Sequence, residues 1–172
     1  MNKKKFVKNL KKKGFSENII SAMNTVPRED FVPAEFKQYA YVDQPLPLAE
    51  NATISQPQTL AFMLELLEVQ SKSTILEIGS GSGYALAVLS LLAPKGNIYG
   101  VEINKRLVES SKKVLEQYAN VKVYCESGKN GFLKYSPYDR ILVSAAFSQI
   151  PHCLIDQLKL DGIMVLPVNN KI

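Results

Sequence analysis

This chain of 172 residues carries few of the residues that most often announce chemistry. Cys125 and Cys153 are far apart and form no C-x-x-C, so neither a zinc site nor a disulfide framework is signalled, and a reducing compartment fits. The one histidine, His152, follows Pro151 at a helix start, where a structural or surface role is the plain reading. No G-x-S-x-G exists. The centre of Gly79–Gly83 is Gly81, which argues against a Ser-His-Asp hydrolase. Gly128-Lys129 lacks the upstream glycine of a phosphate-binding G-x-x-x-x-G-K-[ST] loop. No apolar run reaches a membrane-spanning length, and the basic start is followed by no signal-type apolar stretch. The reading is cytoplasmic, with no membrane and no metal. Neither repeats nor a low-complexity linker divide the chain.

Acid is missing from residues 1–13, which hold seven lysines. The chain as a whole is +5, so the remainder is slightly acidic and the positive charge is local. These residues predict a helix with Phe6, Val7 and Leu10 on its apolar side, docked on the domain and solvated on its lysine face. A nucleic-acid-binding arm is the alternative; no aromatic interleaving or RNA-binding motif supports it.

What is present is a globular composition, 46% apolar and 22% charged, in a length suited to one domain. Residues 1–58 read as N-terminal helices followed by an active-site loop, and 59–172 as a ligand-binding α/β core. Ser16 is a candidate N-cap for a short helix ending near Asn24. Five prolines in residues 27–58 predict an ordered extended loop rather than regular structure. Helical spacing follows over Thr59–Glu68. From Thr74 the pattern alternates, with strands at 74–78, 97–102, 121–125, 139–145 and 162–168. Helices fall between them at about 84–92, 105–118 and 151–159. Strands rich in Ile, Val and Leu on both faces predict a doubly wound, mostly parallel sheet. Its ligand would sit at the carboxyl ends of the strands. Gly79–Gly83, Glu102, Ser127-Gly128 and Ser144-Ala145-Ala146 all fall there.

The segment Ile75–Tyr84 reads as a buried strand, a glycine turn and a helix. Glycines let backbone approach a ligand closely. Glu102, nineteen residues after Gly83, closes the next strand, where its carboxylate can accept hydrogen bonds from a ribose diol. Tyr84 stands where a dinucleotide fingerprint needs a small residue. The spacing G-x-G-x-G, with Glu77 two residues before Gly79, instead resembles motif I of the S-adenosylmethionine-dependent methyltransferases, which have a Rossmann-like fold.

Further segments resemble one family of these enzymes, the protein-L-isoaspartate (D-aspartate) O-methyltransferases. They are Val26-Pro27-Arg28-Glu29-Asp30-Phe31-Val32-Pro33, Tyr41–Leu48, Thr53-Ile54-Ser55-Gln56-Pro57, Pro137–Ile141 and the stretch from Gln157 to Val168. The resemblance implies methyl transfer from S-adenosyl-L-methionine to the α-carboxylate of L-isoaspartyl residues in damaged proteins. It implies Thr53 and Ser55 as the catalytic pair, hydroxyls that can orient a carboxylate without neutralising it. Implied cofactor contacts come from Ala52, Thr53, Ile54, Ser55 and Gln58, from Glu77, Gly79, Ser80, Gly81 and Gly83, and from Glu102, Ile103, Ser127 and Gly128.

Three departures stand against that pattern. Glu50-Asn51-Ala52 replaces a usual glycine pair. Ser127 occupies the position of an aspartate that would bind the adenine amino group. Family members continue beyond Asn169–Ile172 into a last β-hairpin, so the expected sheet lacks it, and strand 162–168 is left as an edge open to self-association. A methyltransferase of another substrate, RNA included, and a cofactor-binding protein without catalysis are the alternatives. Ser144-Ala145-Ala146-Phe147 stands where amino-methylating enzymes carry N/D-P-P-Y/F, and no Pro-Cys nucleophile exists. Both absences count against nucleic-acid methylation.

Overall fold

In a computed structural model, residues 2–49, 52–145, 147 and 149–168 are described. Helix α1 (Lys3–Lys12) is capped by the Asn2 side chain and turns Phe6 and Leu10 inward, with the lysines outside. Helix α2 (Glu17–Thr25) follows. Ser16 does not cap it as predicted: its amide and hydroxyl both donate to Glu65, at 3.0 and 3.1 Å, tying the turn to a later helix.

The proline-rich stretch is more regular than predicted. Pro27 and Pro33 each precede a 3-10 helix, at Arg28–Phe31 and Ala34–Tyr39, because a fixed φ near −65° suits a tight first turn. An antiparallel pair then forms from β1 (Leu46–Ala49) and β2 (Ala52–Ile54). Pro47 is tolerated there because a two-stranded ribbon is all edge. Residues 50 and 51, two of the three in the first departure noted above, lie outside the described residues.

Helix α3 (Pro57–Leu67) leads into the sheet: β3 (Thr74–Ile78), α4 (Tyr84–Leu92), β4 (Asn97–Glu102), α5 (Lys105–Leu115), β5 (Val121–Cys125), β6 (Tyr138–Val143), α6 (His152–Ile155) and β7 (Leu158–Val165). The five strands run parallel in the order β5-β4-β3-β6-β7. Alternate residues of each central strand feed two apolar clusters. Ile75, Ile98 and Leu142 pack with the helices α1 to α5. Leu76, Val101, Ile141 and Val143 pack with Phe132, Tyr138 and Leu154 on the other face. Burial on both faces explains why Ile, Val and Leu stand on both sides of these strands.

The last elements depart from the periodicity. Helix α6 is one turn, not nine residues, and β7 starts at Leu158 and ends at Val165. The side chain of Gln157 ends the helix. Its Oε1 accepts from the Phe132 amide (2.7 Å), its Nε2 donates to the Asn130 carbonyl (2.8 Å), and its own carbonyl accepts from Tyr138 (2.8 Å). Residues 169–172 lie outside the described residues, and the structure does not bear on the reading placed there. No described helix is long and apolar enough to cross a membrane.

Leu10 is fully buried, whereas Lys8 on the same helix is exposed. Leu10→Ala is expected to lower the unfolding free energy by about 2–5 kcal/mol in urea titrations. Lys8→Ala should stay within about 0.5 kcal/mol of the parent.

Candidate active site

The turn after β3 is stitched to the end of β4. The amides of Gly79 and Ser80 both donate to the Val101 carbonyl (2.8 and 3.1 Å), and the Gly81 amide donates to a Glu102 carboxylate oxygen (2.9 Å). The other Glu102 oxygen accepts from the Asn104 amide at 2.9 Å. Gly79 sits at φ +75°, and a Cβ there would meet the Ala145 Cβ at 2.9 Å, so no larger residue fits. Glu102 is 8% exposed, and each of its oxygens keeps a lone pair for a further donor.

Two cavities flank this turn. The larger, about 550 Å³, lies at the carboxyl ends of β3, β4, β5 and β6. Its walls include Ala52, Thr53, Gly79, Gly81, Glu102, Ile103, Ser127 and Gly128 from the residues picked out in the sequence. It also takes in Ile78, Val101, Lys129, Ser144, Ala145 and Phe147. The volume falls within the range of small-molecule sites.

The smaller cavity, about 40 Å³, lies under the β1–β2 ribbon, with Thr53, Ile54, Ser55, Glu77, Gly79, Ser80 and Gly81 in its walls. Arg28, Leu48, Tyr84 and Ser144 join them there. Thr53, Gly79, Gly81 and Ser144 belong to both cavities, so the two meet across the glycine turn. Two sequence-predicted residues line neither. Gly83 faces α5, where a Cβ would meet Leu115 Cδ1 at 2.7 Å, so its small size serves helix packing. Gln58 is fixed by its amide to Asp43 (3.0 Å).

Glu77 is the unusual titrating group. It is 1% exposed; one oxygen accepts from the Ser144 hydroxyl at 2.7 Å, and the other has no partner among the described residues. Burial, reinforced by the charge of Glu102 and opposed by the Ser144 hydrogen bond, pushes its pKa up from 4.5 to about 8. Ser127 keeps a hydroxyl in the larger cavity and accepts from the Lys129 amide at 3.4 Å. Among the described residues no group of three or more His, Cys, Asp or Glu could hold a metal ion. His152 is exposed at the start of α6. Ala146 lies outside the described residues.

Arg28 and Asp43 lie in the segments Val26–Pro33 and Tyr41–Leu48, and the structure gives each a role. Asp43 holds the Gln56 side chain (3.0 Å) and the Gln58 amide, pinning the start of α3 just after Ser55. Arg28 is fully buried against Tyr84. Neither has a periodicity signal, because both serve irregular segments.

Over residues 1–172 the sequence matches the family described as "Protein-L-isoaspartate(D-aspartate) O-methyltransferase (PCMT)". A protein named protein-L-isoaspartate O-methyltransferase from Pyrobaculum arsenaticum is 44% identical over 171 residues, 96% of this chain and 83% of that protein. One of the same name from Methanosarcina mazei is 46% identical over 157 residues, 90% of this chain and 65% of that protein. Among solved structures, a protein-L-isoaspartate O-methyltransferase superposes with a TM-score of 0.91 at 32% identity, covering 98% of this chain and 56% of the other. A Plasmodium falciparum structure, titled as a putative protein-L-isoaspartate O-methyltransferase in complex with S-adenosyl-L-homocysteine, shares the fold with a TM-score of 0.85 at 24% identity, over 98% of this chain and 85% of its own.

The raised pKa of Glu77 carries a stability consequence. The folded chain holds this proton more tightly than the unfolded chain, so the stability it contributes is full below about pH 4.5 and declines as the pH rises through about 8. Glu77→Gln keeps an acceptor for Ser144 and cannot ionise. Urea titrations between pH 5 and 8 should therefore show a flatter profile for the variant than for the parent; parallel profiles would contradict the assignment.

Proposed function

We propose that this chain, which belongs to the protein-L-isoaspartate(D-aspartate) O-methyltransferase family, transfers a methyl group from S-adenosyl-L-methionine to the α-carboxylate of L-isoaspartyl residues in damaged proteins. The observation that carries this reading is the meeting of the two cavities at Thr53 and the glycine turn. One cavity has the size and carboxylate for a nucleoside; the other has two hydroxyls for an acceptor.

The residues present fit the cofactor. Glu102 has acceptor capacity for a ribose diol. The Glu77 oxygen and the Ser80 hydroxyl, buried polar atoms lacking partners among the described residues, line the smaller cavity beside the larger one, and buried polar groups of this kind call for a partner. When bound, the cofactor supplies an electrophilic methyl on a sulfonium. Ala52, Thr53, Gly79 and Gly81 would line its path, with Ile103, Ser127 and Gly128 around the base.

The acceptor needs little activation, since a carboxylate is ionised at neutral pH. The protein must align oxygen with methyl and sulfur, and positioning of this kind can supply up to about 7–11 kcal/mol. Thr53 and Ser55 are proposed to orient the carboxylate by hydrogen bonds without cancelling its charge. The smaller cavity also contains a cation, Arg28, but two of its donors are spent on main-chain carbonyls. Excluding water from the junction would favour the transfer, because the opposite charges of carboxylate and sulfonium disappear together. Both cysteines are free thiols, in keeping with a proposed cytoplasmic setting.

A peptide containing L-isoaspartate should accept radiolabelled methyl, and its L-aspartyl twin should not. Equal labelling of both would remove the repair reading, and labelling of tRNA alone would move the substrate to nucleic acid. Glu102→Ala should weaken S-adenosyl-L-methionine binding by about 1.5–3 kcal/mol in calorimetric titration, the range for hydrogen bonds to a charged group.

A further inference from the structure

Arg28 is 0% exposed, an extreme position for a guanidinium. Its Nε donates to the Ala40 carbonyl and its Nη2 to the Ser55 carbonyl, both at 2.7 Å. Its plane lies over the Tyr84 ring, 4.7 Å from the centroid. These partners come from three separate places: the end of the second 3-10 helix, the acceptor segment after β2, and the first residue of α4 beyond the glycine turn. One rigid fork therefore ties the hydroxyl-bearing segment to the turn that would hold the cofactor. Tyr84 is itself held by Phe31, edge-on at 5.5 Å, so the platform beneath the guanidinium does not drift.

The surroundings argue against simple filling of space. Burial pulls the Arg28 pKa below its usual value; Tyr84, Tyr41 and Asp43 offset that only in part. An apolar side chain would fill the volume without this cost. What it could not do is hold two carbonyls at fixed separation. Nη1 has no partner among the described residues, nor have Glu77 Oε2, Ser80 Oγ and Tyr84 Oη, and all four residues line the smaller cavity. The guanidinium is thus oriented by its two carbonyl bonds and by the Tyr84 ring beneath it.

We propose that Arg28 is a positioning residue for methyl transfer: by gripping the Ser55 carbonyl it sets the Thr53 and Ser55 hydroxyls relative to the glycine turn. This rests on the reading of those hydroxyls as the acceptor site. A small shift of the acceptor segment would spoil the in-line geometry and leave the larger cavity intact.

The test compares the parent, Arg28→Lys, Arg28→Met, Ser55→Ala and the Arg28→Lys/Ser55→Ala double variant, using an L-isoaspartyl peptide and calorimetric titration with S-adenosyl-L-homocysteine. Lysine keeps the charge and the stem but offers no fork. The expected result is a kcat lower by on the order of 10- to 100-fold for both Arg28 variants, with the Kd for S-adenosyl-L-homocysteine within about threefold of the parent. The double variant should lose less than the product of the two single losses, because Arg28 acts through that segment. An unchanged kcat in both Arg28 variants would overturn the proposal. So would losses that multiply in the double variant, or loss of S-adenosyl-L-homocysteine binding in both Arg28 variants, which would make the residue architectural. A parent that does not methylate the peptide fails on the functional reading, before any variant is compared.

Discussion

The site depends on one tie between neighbouring strands: the end of β4 accepts the amides of the turn that follows β3. Val101 takes two of them through its carbonyl, and Glu102 takes a third through its carboxylate. A turn of this kind would otherwise present bare amides, and a sheet would otherwise end in bare carbonyls. Joining them satisfies both and fixes the position of Glu102 at the mouth of the larger cavity. Because the strands are parallel and in register through Ile78 and Val101, every loop that follows them opens at the same end. The cavity is a consequence of that order, as in other open α/β sheets.

The N-terminal third supplies the other half. Its helices bury Phe6, Leu10, Ile19 and Met23 in the same apolar cluster as the sheet. The irregular stretch between them and α3 is held by polar side chains instead: Arg28 on two carbonyls, Asp43 on Gln56 and Gln58, and Tyr41 on Glu29. Polar ties of this sort give a loop a defined shape without a hydrophobic core of its own. They also bring Thr53 and Ser55 against the glycine turn. The result is a floor of regular structure under the larger cavity and, over the smaller one, a roof made by the β1–β2 ribbon and the segment that follows it.

Much of this was legible in the sequence where local pattern and final structure have the same cause. Apolar runs between turns gave the parallel strands. The glycines and Glu102 gave the turn and its partner, because few residue types can serve there. Thr53-Ile54-Ser55 was readable only through resemblance; by itself a Thr-x-Ser before a proline is a plain turn. Other features were not legible because they arise from contacts distant in the chain. Gln157 cuts α6 short by bonding to Asn130 and Phe132, some 25 residues away. Ser16, a sound cap by type, is diverted to Glu65. Gly83 looks like part of the ligand turn, and only the packing of α5 shows its other use. Arg28 sits in a segment that carries the family resemblance, yet nothing in its neighbours says that the guanidinium is buried.

The central claim is that the two cavities are a cofactor site and an acceptor site meeting at Thr53 and the glycine turn. The most direct measurement is a crystal structure of the protein with both S-adenosyl-L-homocysteine and an L-isoaspartyl peptide. The account predicts the nucleoside against Glu102 in the larger cavity. It predicts the peptide carboxylate at the Thr53 and Ser55 hydroxyls, facing the sulfur across the gap that a methyl group would fill. A carboxylate bound away from those hydroxyls, or a sulfur turned away from Thr53, would contradict it.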